Sequence, residues 1–174
     1  MTPAYPLPRR KLGSTPVEVT ALGFGAAALG NLYRAIPDAT AQACLDAALD
    51  AGIGYIDTAP HYGQGLSERR IGQAPGPYTL SSKVGRVLTP VAPSPAGTER
   101  HGFVDGDPFE PHFDYSYDGV MRSFESSLKR LKREHIDILL AHDLGSQTHG
   151  ADAPAHMKAF LQGGYKAMRD LKDQ

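Results

Sequence analysis

Four polar side chains with complementary chemistry stand at or just beyond the ends of short apolar segments. They are a carboxylate, a phenol, an ammonium and an imidazole, namely Asp57, Tyr62, Lys83 and His142. Short apolar segments that are bounded by turn residues predict buried strands. In parallel α/β folds the carboxyl ends of the strands form the rim where chemistry takes place. We therefore expect these four groups to meet at one rim.

Each of the four groups also has a structural explanation when it is taken alone. Asp57 could cap the turn that follows it, and Lys83 could be a solvated strand end. His142 could be a satisfied histidine at the rim, and Tyr62 could pack within its Gly-rich loop. Converging polar groups are only a statistical sign of a site. Their order along the chain and their shared position after strands favour a common site.

A metal centre is the weaker interpretation of the polar residues. His61, His142 and His149 could be imagined as ligands, but no His-x-His pair and no carboxylate cluster accompanies them. We therefore predict no metal site. The single cysteine, Cys44, excludes a disulfide framework within the chain and a cysteine-rich zinc site. We expect it at a small buried position on a helix.

The elements that must position these groups alternate between strand and helix. After a tail (residues 1–6) and a hairpin that begins at Arg9, a strand is followed by a helix four times. Such alternation predicts a parallel sheet with right-handed crossovers. The predicted strands are 22–24, 54–57, 78–83 and 136–141, and the predicted helices are 39–51, a short helix from 66, 116–132 and 155–172. Residues 84–115 are predicted as a long loop, either functional or disordered.

Composition limits the possible partners. The chain has 174 residues, which is enough for one domain with a real core, and we expect residues 1–174 to form it. The formal net charge is -1 and no cluster of Lys and Arg stands out, which argues against nucleic acid or an anionic membrane as partner. The N-terminus is not a signal peptide, and no apolar run is long enough to span a membrane. We therefore expect a cytoplasmic protein.

Three strand-end motifs together resemble the aldo-keto reductase family. They are Asp-Thr-Ala-Pro-His-Tyr-Gly at 57–63, Ser-Ser-Lys-Val-Gly at 81–85 and Ile-Asp-Ile-Leu-Leu-Ala-His at 136–142. The resemblance runs from about residue 9 to the end of the chain. It implies a (β/α)8 barrel of the TIM type and an NAD(P)-dependent interconversion of carbonyl and alcohol.

The same resemblance implies a catalytic tetrad. Tyr62 would give or take the proton of the substrate oxygen, although a free phenol with a pKa of about 10 is a poor base at neutral pH. A lysine ammonium beside it favours phenolate, which is the role implied for Lys83. Asp57 would pair with Lys83, and His142 would hydrogen-bond the carbonyl oxygen and orient the substrate.

The cofactor implied by the resemblance is NADP or NAD. Its nicotinamide end would lie against Gly25, Ala26 and Ala27, next to Asp57. Small residues allow close approach to the backbone, but close packing of a helix on a strand explains the same three residues equally well. That alternative stays open at this point.

Three further segments resemble one branch of the family. Residues 113–120, 141–150 and 163–165 are similar to D-threo-aldose 1-dehydrogenase and pyridoxal 4-dehydrogenase. This implies oxidation of an L-fucose-like aldose, or of pyridoxal, to a lactone. The substrate would then be a ring hemiacetal whose hydroxyl gives its proton to Tyr62, and residues 84–115 would wall its pocket.

The length departs from the family pattern. A (β/α)8 barrel usually needs about 250 residues, and this sequence carries about four of the eight units, the N-terminal half of the barrel. Three causes would explain the shorter length: further segments that this sequence does not include, a truncation, or assembly of the barrel from two halves. A half-barrel leaves two edge strands, which predicts self-association. The alternative function is therefore a catalytically inactive half-barrel with a structural or association role.

Overall fold

The computed structural model describes residues 7–173, so the predicted tail lies outside the described residues. The strands are β1 (Arg9–Lys11), β2 (Glu18–Thr20), β3 (Phe24–Gly25), β4 (Tyr55–Asp57), β5 (Thr79–Val84), β6 (Arg86–Pro90), β7 (Glu99–Arg100), β8 (Phe103–Val104), β9 (Phe109–Phe113) and β10 (Ile138–Ala141). The helices are α1 (Asp38–Asp50), α2 (Leu66–Ile71), α3 (Tyr117–Leu131), α4 (Ser146–His149), α5 (Ala153–Ala159) and α6 (Tyr165–Lys172).

One parallel sheet organises these elements, with the strands in the order β3, β4, β5 and β10. Gly25 pairs with Asp57, Asp57 pairs with Ser81, and Lys83 pairs with Leu140. Neighbouring strands that run in the same direction need a crossover, and helical segments supply it between each pair. The prediction of four strand–helix units is confirmed, and the carboxyl ends of all four strands meet at one edge.

Two apolar clusters hold the helices on the sheet. Ile56 and Leu80 of the central strands are fully buried against Leu45 of α1 and Ile71 of α2. Complete burial of such a side chain contributes about 1.5–3 kcal/mol each. The second cluster joins β5 to α3 and α6 through Val84, Val120 and Ala167.

A buried ion pair connects α2, α3 and β5. The Glu68 carboxylate is fully buried, and its Oε2 accepts a hydrogen bond from Nε of Arg130 at 2.7 Å. Its Oε1 accepts from the hydroxyl of Ser82, also at 2.7 Å. Both carboxylate oxygens are therefore satisfied, and the residue next to Lys83 is tied to two helices.

The segment 84–115 differs from the predicted loop. Strands β6 and β9 pair antiparallel over five residue pairs, and β7 and β8 form a second short ribbon. Backbone hydrogen bonds between the strands order the segment, so the disordered alternative is wrong. Pro90 and Pro111 are tolerated because each ribbon has only two strands.

Three smaller predictions also need correction. The first strand is Phe24–Gly25, and Leu22 is 55% exposed rather than buried. Cys44 is exposed, because Ala41, Leu45 and Ala48 take the inward face of α1. The last helix starts at Ala153 and contains a π-helical turn, Phe160–Gly164.

Two observations bear on partners. Over residues 7–173, no helix has both the length and the apolar character needed to cross a membrane. Strands β3 and β10 are the outer strands of the parallel sheet in this part of the chain, and Leu140 of β10 is 42% exposed.

Candidate active site

Asp57 and Lys83 form an ion pair at the carboxyl ends of the two central strands. Nζ of Lys83 donates to Oδ2 of Asp57 at 2.7 Å and to the carbonyl oxygen of Thr58 at 2.8 Å. The other oxygen of Asp57 accepts the hydroxyl of Ser81 at 2.6 Å, and the Tyr55 hydroxyl lies 3.0 Å from that of Ser81. Because both carboxylate oxygens are held, the position of the ammonium group is fixed.

Tyr62 reaches this pair from a loop that lies directly on another loop. A Cβ at Gly30 would lie 2.5 Å from the carbonyl carbon of Tyr62, and one at Gly63 would lie 2.4 Å from the carbonyl oxygen of Gly30. Gly63 also has φ +65, which favours glycine. This backbone contact places the Tyr62 ring with its centroid 4.8 Å from Nζ of Lys83.

His142 continues the sheet just beyond β10. Its backbone N–H donates to the carbonyl of Val84 at 2.9 Å, and its ring lies 5.9 Å from that of Tyr62 at an interplanar angle of 89°. The structure therefore brings the four predicted groups, Asp57, Tyr62, Lys83 and His142, to one rim.

Burial determines the charge of His142. The residue is only 6% exposed, and this desolvation lowers the pKa of its imidazole to about 4. Asp143 opposes the shift, whereas Arg86 and Lys83 add to it. At neutral pH the ring is therefore uncharged and carries one N–H. Its Nε2 lies 3.4 Å from Oδ2 of Asp143, and its Nδ1 is buried without a hydrogen-bond partner among the described residues.

Sequence reasoning missed a second layer of polar groups beside the tetrad. Arg86 donates to Oδ2 of Asp143 at 2.7 Å, and its guanidinium lies 4.6 Å from the ring centroid of Phe113. His61 Nδ1 is 3.4 Å from the same guanidinium. Burial first, and then Arg86, lowers the pKa of His61 to about 3. Arg86 and Asp143 follow the strand ends by only a few residues, so extending the strand-end rule would have found them.

The ribbons of segment 84–115 contribute aromatic side chains to this rim. The Phe103 ring lies 5.4 Å from that of His61 and 6.1 Å from that of Tyr62. His101 lies 5.9 Å from His61. The inserted ribbons thus stand directly beside the Tyr62 loop.

The three residues predicted to contact the cofactor, Gly25, Ala26 and Ala27, differ in how deeply they are buried. A Cβ at Gly25 would meet no atom within 4 Å, so there is open space at this residue, which pairs with Asp57. Ala27 is half-buried, whereas Ala26 is fully buried and its carbonyl accepts the hydroxyl of Ser67 at 2.8 Å. Gly25 and Ala27 are therefore the accessible residues of this stretch, whereas Ala26 is part of the packed turn.

The histidines weighed as metal ligands do not converge. His61 and His142 are 5.9 Å apart between ring centroids, but His149 lies elsewhere, with its ring 4.0 Å from that of His156. Between residues 7 and 173 no group of three or more His, Cys, Asp or Glu side chains could hold a metal ion.

Comparisons with known proteins found a family and several relatives that this chain resembles. Residues 21–174 match the model of the Aldo/keto reductase family. The chain is 42% identical to pyridoxal 4-dehydrogenase from Microbacterium luteolum, over 94% of this chain and 52% of that protein. It is 40% identical to D-threo-aldose 1-dehydrogenase from a Pseudomonas species, over 87% of this chain and 50% of that protein. The chain thus spans about half the length of these curated relatives.

A solved structure supports the fold. The holo form of aldo-keto reductase AKR11C1 from Bacillus halodurans superimposes with a TM-score of 0.62 and 24% identity. The match covers 91% of this chain and 48% of that one. The four strand–helix units described above are therefore part of a barrel-type α/β fold.

Proposed function

This chain belongs to the aldo/keto reductase family, and on that premise we propose that it carries the catalytic end of an NAD(P)-dependent oxidoreductase. The reaction interconverts a carbonyl or hemiacetal with an alcohol or lactone. The observation that carries the proposal is the Asp57–Lys83 pair, with Lys83 Nζ 4.8 Å from the ring centroid of Tyr62 and the His142 ring 5.9 Å from the Tyr62 ring.

Tyr62 is the proton-transfer group in this proposal. Reduction of a carbonyl leaves a negative oxygen that must gain a proton, and oxidation requires the reverse transfer. The nearby ammonium of Lys83 stabilises negative charge on a phenol oxygen electrostatically. Asp57 and the carbonyl oxygen of Thr58 both accept hydrogen bonds from Lys83, and these bonds hold its ammonium group in place.

His142 orients the substrate in this proposal and is not its main acid. A neutral imidazole can donate one hydrogen bond to the substrate oxygen, and burial keeps the ring neutral at pH 7. A preorganised donor in a site with little water acts more strongly than one in bulk solvent. The protonated form, which would appear only near pH 4, is not needed.

The cofactor that fits the family and the open surface at Gly25 is NAD or NADP. When it is bound, it supplies or accepts the hydride. Gly25 and Ala27 would lie against its nicotinamide, and Asp57 would lie at the edge of that ring.

For the substrate, we propose an aldose of the L-fucose type or pyridoxal, both as ring hemiacetals. The relatives at 40–42% identity carry the names of an aldose dehydrogenase and a pyridoxal dehydrogenase. The Arg86–Asp143 pair at the rim offers donors and acceptors to a substrate with several hydroxyl groups.

Nucleotide binding is the direct test of the proposal. NADPH and NADH are titrated into this chain and followed by nicotinamide fluorescence. Oxidation of L-fucose and of pyridoxal is then measured with NADP⁺ and with NAD⁺ as the hydride acceptor. Saturable binding and turnover are expected. Tyr62→Phe should abolish turnover while it keeps binding, and Tyr33→Phe, which alters an exposed tyrosine, should change neither.

The second candidate, an inactive half-barrel, makes the opposite prediction. It is favoured by the two outer strands of the sheet, β3 and β10, and by the exposed Leu140. If it is correct, the chain should bind no nucleotide, and the molar mass measured by light scattering should rise with protein concentration. Turnover that Tyr62→Phe leaves unchanged would contradict the catalytic proposal.

A further inference from the structure

Tyr115 is a buried tyrosine to which the proposed reaction gives no role. It is 2% exposed and lies between β9 and α3. Its hydroxyl donates to the backbone carbonyl of His142 at 2.6 Å. Nε2 of His149 lies 3.0 Å from the same hydroxyl. Because the phenol has one proton and gives it to the carbonyl, His149 is the donor of the second bond.

The ring of Tyr115 also contacts the strand that carries Lys83. Gly85, two residues after Lys83, has φ +106, and a Cβ there would lie 2.2 Å from Cε1 of Tyr115. The aromatic ring therefore packs directly on the backbone at the end of β5. One side chain therefore touches the ends of β5 and β10, the strands that carry Lys83 and lead to His142.

We propose that Tyr115 is a positioning residue for His142, and that it holds the imidazole against Tyr62 and Lys83 by fixing the carbonyl of His142 and the backbone at Gly85. The role rests on the proposed function of His142. His149 completes the arrangement, since its hydrogen bond fixes the rotation of the Tyr115 hydroxyl.

The position of His142 explains why such a support matters. β10 is an outer strand of the sheet in the described part of the chain, so its neighbour β5 holds it from one side only. The backbone N–H of His142 donates to the carbonyl of Val84, and the carbonyl of His142 accepts the hydroxyl of Tyr115. Without the Tyr115 hydroxyl, this end of the strand can move, and a displacement of about 1 Å at a reacting group can cost roughly a hundredfold in rate.

A single carbonyl signal can report on this bond. The pair His142-Asp143 is the only His-Asp dipeptide in the sequence. Labelling with 13C′-histidine and 15N-aspartate therefore gives one HNCO cross-peak, that of the His142 carbonyl. Hydrogen bonding moves a carbonyl 13C signal downfield, so Tyr115→Phe should move this peak upfield. Tyr33→Phe makes the same chemical change at a residue that is 79% exposed and should leave the peak in place.

The pKa of the His142 imidazole gives a second test of its position, independent of the carbonyl signal. With the carbonyl released, the ring gains water, and the pKa of His142 should rise from about 4 towards 6.5 when its Cε1 signal is titrated. The charged and titratable groups that face the ring are unchanged in both variants, namely Asp57, His61, Tyr62, Lys83, Arg86 and Asp143. A shifted carbonyl signal with an unchanged titration of the ring would overturn the proposal, since the bond would then be structural only.

Turnover adds a third readout. Tyr115→Phe should lower kcat about tenfold to a hundredfold with KM changed less than about twofold, because the substrate still binds but its oxygen meets a displaced imidazole. Both magnetic-resonance signals are measured without turnover. If the unaltered chain shows no turnover but the variant shows both shifts, the positioning role stands and the catalytic proposal fails.

If the Tyr115→Phe variant does not fold, a smaller chemical change at the same hydroxyl can still test the proposal. Biosynthetic replacement of tyrosine by 3-fluorotyrosine keeps the ring shape and makes every phenol a stronger donor. The His142 carbonyl peak should then move downfield. An unmoved peak would show that the Tyr115 hydroxyl does not bind this carbonyl and would refute the proposal.

Discussion

Replacing Arg130 by methionine should lower the free energy of unfolding by about 3–5 kcal/mol, because it leaves the charge of Glu68 buried without its counter-ion. The carboxylate is 0% exposed, and the Arg130 side chain is 11% exposed. The carboxylate accepts two hydrogen bonds, one from the charged guanidinium of Arg130 and one from the neutral hydroxyl of Ser82. The hydroxyl alone cannot compensate a full buried charge. Methionine keeps most of the apolar stem, so the loss reports the charge and not a cavity.

The assay is urea unfolding followed by far-ultraviolet circular dichroism, together with thermal unfolding. For a chain of this length, where 1 kcal/mol shifts Tm by about 2–4 °C, a loss of 3–5 kcal/mol corresponds to a fall in Tm of about 6–20 °C. The control is Arg9→Met, which breaks the ion pair between Arg9 and Glu18, whose side chains are 47% and 45% exposed. That variant should lose less than about 1 kcal/mol.

The double variant Glu68→Met, Arg130→Met separates charge from packing. If the cost of Arg130→Met is an unpaired charge, removal of Glu68 as well should restore part of the stability, so the two losses should not add. A loss for Arg130→Met as small as that of the Arg9 control would refute the reasoning. Strict additivity in the double variant would refute it as well.

Three other outcomes follow from the geometry. The free energy of unfolding should fall as the pH is lowered from 6.5 to 4, because His142 binds a proton in the unfolded chain but stays neutral in the folded one. In urea titrations at the two pH values, the His142→Gln variant should lose about 3 kcal/mol less than the unaltered chain. Gly85→Ala should cost about 1–3 kcal/mol from backbone strain alone at φ +106, before the clash with Tyr115 is counted, and a Tm equal to that of the unaltered chain would contradict this. Cys44 should react with a thiol reagent in the folded chain as fast as in urea, and strong protection would contradict its exposure.

Much of the fold could be predicted because its signals are local. Short apolar segments between turn residues located the parallel strands, and the periodic pattern from Val120 to Leu131 located α3. The order of strands and helices then determined which ends share a rim. The convergence of Asp57, Tyr62, Lys83 and His142 follows from that order, since parallel strands place their carboxyl ends together.

What could not be predicted depends on contacts between distant parts of the chain. The pairing of β6 with β9 spans an intervening loop, and Pro90 and Pro111 obscure the strand pattern. The π-helical turn comes where Gly164 packs on the carbonyl of Tyr115, which no local pattern encodes. Cys44 is one helical position away from the buried face, and its residue type alone suggested the wrong side.

The backbone contact between Gly30 and Gly63 also determines which residues around Tyr62 can be substituted. No side chain separates the two loops, so neither glycine can be replaced without displacing the loop that carries Tyr62. Mutational tolerance should therefore be lowest there and higher in the short ribbon 99–104, whose Phe103 faces the same loop through a side chain. A library randomised at the ribbon would change the neighbours of Tyr62 while its own position is kept. The side chains that surround Tyr62 and the position of Tyr62 itself are thus encoded in separate segments of this chain.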